Sequence, residues 1–179
     1  MKRVMTLVAL IIISSASLLL AQSIKIGYID TDKIMIESKD TQEAQLIFKN
    51  EQAQWEKEIM ALDDEVKRLE SEYEARKLTL TESGKAQAQE KIEAKTKERR
   101  QYLERIFGEN GIAVQRNAEL LEPIMIKLKE SIEKIAIEEN YSIVFDAVGG
   151  GLLYARPNLD LTDLILKEMN DDSGKGKTK

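Results

Sequence analysis

FKNEQAQWEKEIMALDDEVKRLESEYEARKLTL, residues 48–80, is the stretch that decides how this chain folds. Its apolar residues Phe48, Trp55, Ile59, Leu62, Val66, Leu69, Tyr73 and Leu80 recur at steps of seven, four, three, four, three, four and seven, with Gln52 and Arg76 at the skipped positions. That is the a/d seam of a coiled coil, a narrow apolar stripe winding along one helix face. A second run repeats the period through Ile92, Thr96, Arg99, Leu103, Ile106, Asn110, Ala113, Asn117, Leu120 and Ile124.

Two helices that fold back on each other must face at positions whose numbers have a constant total. Leu69 with Ile92, Val66 with Thr96, Leu62 with Arg99, Ile59 with Leu103, Trp55 with Ile106 and Phe48 with Ala113 all total 161 or 162. The bend then falls at Leu80-Thr81-Glu82, where the Thr81 hydroxyl can satisfy free backbone N–H groups as an N-cap. Gln52 opposite Asn110 makes a polar layer that penalises slipped pairings. The stretch 41–122 therefore reads as one antiparallel helical-hairpin arm, each helix reaching roughly 60 Å at 1.5 Å per residue.

Outside the arm the pattern changes. Ile24 to Asp30 is apolar and β-prone, and Asp30 or Asp32 can cap a short helix through Ile34. Pro123 removes a backbone donor and favours a kink or a fresh helix start; the helical pattern resumes at Ile124, Leu128, Ile132 and Ile135. Tyr141–Asp146 and Leu152–Ala155, joined through Gly149-Gly150-Gly151, read as a β-hairpin. Asp160-Leu161-Thr162-Asp163 resembles a capping box that opens a last helix. The fold class is α+β: three short strands form a small body from 22–40 and 123–170, and 171–179 is a polar, disordered tail. So small a body buries little by itself, which favours oligomerisation. Ile26, Tyr28, Ile143, Phe145 and Leu153 are the candidates for a shared core, the alternative being packing on the protomer's own helices.

Composition narrows the function. The 179 residues carry 33% charged and only 5% aromatic side chains, with a net charge of −5. Loss of Lys2 and Arg3 with a leader takes it further negative, so no basic field holds nucleic-acid phosphates. There is no cysteine and no histidine, which excludes disulfides and removes the commonest general base and metal ligand. No cofactor or catalysis is expected. Gly176-Lys177-Thr178 ends like a phosphate-binding loop, but Asp171 stands where its first glycine is required.

At the N-terminus, Lys2-Arg3, the apolar run Val4–Ile13 and the small residues Ser14–Ser17 lead to Leu18-Leu19-Leu20-Ala21. This order is that of a signal peptide over 1–21 cut after Ala21, with a cut after Ala16 or an uncleaved anchor as alternatives.

IKIGYIDTDKIM at the start of the body, LTESG at the bend, EPIMIKLKESIEKIAIEENYSIVFD and LLYARPNLDLTDLILKEMN together resemble the Skp (OmpH-like) family of periplasmic chaperones, from Ile24 to Asn170. The resemblance implies a jellyfish-like homotrimer in the periplasm of a Gram-negative bacterium. Three arms would hang from a shared β-body around a cavity that holds unfolded outer-membrane proteins, as an ATP-independent holdase. It also implies weak contact with membrane or lipopolysaccharide. The best-known members are basic, whereas this chain is acidic and keeps only a slight positive excess between Lys85 and Arg105.

A holdase needs many weak apolar contacts, whose avidity adds up on a client without fixed structure. Met60, Tyr73, Leu78, Leu80, Tyr102 and Phe107 are the candidate client contacts, with ordinary helix packing as the alternative for each. Phe107, Val114, Leu121 and Leu128 form a second stripe, seven apart, that lines a cavity or packs on the body. The competing function is an exported coiled-coil scaffold or envelope tether.

Overall fold

The computed structural model describes residues 24–172. The expected leader lies outside them, as does the expected tail beyond Asp172. In chain order the elements are β1 (Ile26–Ile29), α1 (Thr31–Glu37), α2 (Lys39–Arg76), α3 (Glu82–Phe107), α4 (Ile112–Glu138), β2 (Ile143–Asp146), a 3-10 turn (Pro157–Leu159) and α5 (Thr162–Asp172). Asp30 is the residue that caps α1, its carboxylate accepting from Lys33 N–H at 2.8 Å. Among the described residues no helix is long and apolar enough to cross a membrane.

The hairpin forms where the seam places it. Thr81 is the N-cap of α3, its hydroxyl accepting from Gly84 N–H at 3.2 Å. Below the bend, contacts keep the expected register: Tyr73 with Gln89, Asp63 with Arg99, and Trp55 with Phe107 each total 162.

That register does not persist to the body. Glu51 pairs with Arg116 and Asp40 with Lys127, both totalling 167. The five-residue offset arises at Gly108-Glu109-Asn110-Gly111, where α3 ends and α4 starts anew. A Cβ at Gly111 would stand 2.4 Å from the Ile106 carbonyl oxygen, so only glycine lets the chain turn this tightly. Two sequence expectations fall with the offset. Phe48 does not face Ala113 but meets Trp55 edge to face, 6.0 Å between centroids. The Gln52–Asn110 layer is absent, because Asn110 lies in the break and Gln52 donates to Glu56 on its own helix.

Pro123, by contrast, neither ends nor restarts a helix and lies inside α4. Its neighbours Ile124 and Leu128 are 4% and 3% exposed in the core, and this packing outweighs the lost backbone bond. The core gathers Ile29, Ile34, Ala44, Ile124, Leu128, Ile135, Leu161, Ile165 and Met169 from β1, four helices and the residue before the last of them. From Gln45 to Arg105 no residue is buried. The hairpin beyond Ala44 is therefore a two-helix layer in solvent, with Ile106 and Ala113 buried on its returning side, and α2 alone, at 38 residues, spans about 57 Å.

Among the described residues the sheet has two strands and not three. β1 and β2 run parallel, with the arm as their crossover, pairing Ile26 with Ile143 and Tyr28 with Phe145. Leu152–Ala155 does not add the expected hairpin strand. The chain turns at Val148-Gly149, where Val148 N–H donates to the Asp146 carboxylate at 3.0 Å, but the residues after the glycines do not pair back onto β2, and Leu153 is 97% exposed. The far edge of β1 is met instead by a parallel bridge from Tyr28 to Asp160, with Leu161 N–H donating to the Tyr28 carbonyl at 2.8 Å. The Asp160–Asp163 box is replaced by a shorter one: Asp160 accepts from Thr162 N–H at 2.9 Å, and Asp163 pairs with Lys33.

Candidate functional site

Alternate residues of a strand face the same side, so the pairing of β1 with β2 puts Ile26, Tyr28, Ile143 and Phe145 together on one face. The opposite face is closed: Ile29 is in the core, and a Cβ at Gly27 would come within 2.6 Å of Leu161. The first face is open, with Ile26, Ile143 and Phe145 each 40–48% exposed. Leu153 and Tyr154 add further exposed apolar surface on the following loop. Burial and the neighbouring Asp160 carboxylate raise the Tyr28 phenol.

The six arm candidates fall into three environments. Met60 and Leu78 are uncovered. Tyr73 and Leu80 line a cavity of about 270 Å³ beneath the bend, with Leu69, Arg76, Gly84, Ala88 and Lys91. Tyr102 and Phe107 make contacts within the hairpin. The Tyr102 hydroxyl donates to Glu58 at 2.5 Å. Burial first, and then that bond, push the phenol up to about 12, while the same bond leads in lowering the Glu58 carboxyl. Phe107 leans edge to face on Trp55, 6.1 Å between centroids, with its outer side still exposed.

The second stripe divides. Leu128 is buried and Leu121 packs against the core, whereas Val114 is 54% exposed. Sequence reasoning missed an apolar groove of about 290 Å³ where α2 and α4 meet, lined by Ala44, Ile47, Leu120, Pro123 and Ile124 together with the paired Asp40 and Lys127. It also missed the break at Gly108–Gly111, although two glycines flanking Glu-Asn are a turn signal.

A long helical hairpin rising from a small parallel sheet is the architecture these elements define. The family model described as outer membrane protein (OmpH-like) matches residues 25–169, and the chain belongs to that family. A crystal structure of a candidate outer membrane chaperone (OmpH-like) from Caulobacter crescentus shares the fold, with a TM-score of 0.75 at 14% identity. The match covers 83% of this chain and 85% of that one. No curated protein sequence matches the chain.

Proposed function

We propose that this protein is a periplasmic, ATP-independent holdase that keeps unfolded outer-membrane proteins from aggregating between the arms of a homotrimer. The observation that carries the reading is the arm itself. It continues for some sixty residues, 45–105, without a buried side chain, and it holds Met60 and Leu78 bare in solvent. A rod built only to span distance has no need of uncovered apolar residues midway along it and at its tip. Family membership and the chaperone description of the Caulobacter protein support the same reading.

Assembly would close the open sheet face. Ile26, Tyr28, Ile143, Phe145 and Leu153 form an apolar surface that a single chain leaves wet, and copies of that surface can cover one another. The thin distal seam leaves each arm free to change its spacing around clients of different size. The chemistry is binding alone: many weak contacts, no covalent step and no cofactor.

Size-exclusion chromatography with light scattering tests the reading. A discrete trimer that co-elutes with an unfolded β-barrel protein in the absence of nucleotide supports it. A rod-like dimer bound to one folded partner would favour the scaffold or tether.

A further inference from the structure

We infer that the cavity beneath the arm bend captures the C-terminal end of an unfolded polypeptide, taking its last apolar side chain and its free carboxylate together; this rests on the holdase reading and specifies one subsite of it. The cavity holds about 270 Å³, below the roughly 300–1,000 Å³ of pockets that enclose drug-sized ligands. It suits one residue rather than a folded epitope.

Its lining has two parts. Leu69, Leu80, Ala88 and the Tyr73 ring supply apolar wall, and Arg76 and Lys91 supply positive charge. Five cations lie between residues 68 and 91. Arg68 is paired with Glu65 and Glu72, Lys77 with Glu74, and Lys85 with Glu82. Arg76 and Lys91, the two that line the cavity, have no ion-pair partner among the described residues. Glu72 also lines it, but its charge is engaged by Arg68.

An internal apolar segment would fill the wall and leave both cations unused. A chain end with an apolar last residue satisfies both halves, its carboxylate lying between Arg76 and Lys91 as an acceptor for charge-assisted hydrogen bonds. Such a subsite would recognise a chain by its end, whatever its sequence elsewhere.

The test is fluorescence anisotropy of a labelled hexapeptide ending in phenylalanine, offered to the full protein as the free acid and as the C-terminal amide. The free acid is expected to bind about fivefold more tightly at low salt, as two partly exposed charge contacts allow. The difference should vanish in R76Q/K91Q, whose two positions are solvent-facing. Equal binding of acid and amide by the unchanged protein overturns the proposal, as does dodecanoate displacing both peptides alike, which would assign the cavity to lipid anions. The holdase reading is judged separately, by whether the same preparation keeps an unfolded β-barrel protein soluble.

Discussion

Trp55 meets Phe107 edge to face, with centroids 6.1 Å apart and ring planes at 85°, at the last point where the hairpin keeps its distal register. One residue later α3 ends at Gly108, and the return strand of the arm re-engages α2 five positions out of step. The aromatic pair thus closes the distal arm against the break.

Trp55 is the only tryptophan, so its emission reports the ring cluster it forms with Phe48 and Phe107. Phe107→Ala should shift that emission to the red and lower stability by about 1–2 kcal/mol, the worth of one aromatic pair with partial burial. Urea unfolding followed by fluorescence and circular dichroism measures both; unchanged emission would show that the pair does not form.

Gly111→Ala forces a methyl against the Ile106 carbonyl oxygen. The expected cost is about 1–3 kcal/mol, in the range for overpacking. Pro123→Ala, in contrast, should stabilise α4 or leave it unchanged, since it restores a backbone donor inside a helix. Thermal melts of the two variants should move in opposite directions, or the Gly111 variant alone should fall.

One source of the alkaline limb of stability lies in the hairpin. Tyr102 has its folded pKa raised to about 12 from 10.0, so its contribution is complete below pH 10 and is lost as pH climbs toward 12. Spectrophotometric titration should show late-ionising tyrosines, Tyr28 and Tyr102, and one fewer of them in Tyr102→Phe. At the acid end, burial raises the Asp146 carboxyl, but bonds from the Thr31 hydroxyl and the Val148 and Thr31 backbone N–H groups outweigh it and lower the pKa overall. Its contribution is present above the ordinary aspartate range and disappears as pH falls through the lowered value. Asp146→Asn should flatten that acid limb.

Phe145→Ser places a hydroxyl on the open sheet face without touching the core. The expected outcome is dissociation of the proposed assembly to monomers that keep their helix content, as read by light scattering and circular dichroism. A variant that retained the parental mass would mean that this face is not the contact between copies.

The hairpin was legible because an antiparallel pair leaves an arithmetic trace: a seam on each half and a constant total between them. That trace failed at Phe48 and Gln52, since the heptad spacing continues numerically through Gly108–Gly111 although the backbone does not. Pro123 misled in the other direction, because its cost as a helix interruption is local while the burial of Ile124 and Leu128 that overrides it is tertiary. Leu152–Ala155 has strand composition, yet composition cannot supply an edge to pair with, and the glycines carry it away from β2. The open face of the sheet was visible as alternation in Ile26, Tyr28, Ile143 and Phe145; its pairing as a parallel sheet needed the fold. The cavity at Arg76 and Lys91 was invisible in sequence, because only the bend brings those two cations to one place.

The central claim is that the bare arm grips unfolded chains, and dilution of a urea-unfolded outer-membrane β-barrel protein into buffer without nucleotide tests it most directly. With three chains of the protein present per client, light scattering should stay at baseline. Replacing Met60 and Leu78, the two uncovered candidates, by Ser should let scattering rise at unchanged arm stability, within about 0.5 kcal/mol. Scattering that grows with the unaltered protein as fast as in buffer alone would contradict the account.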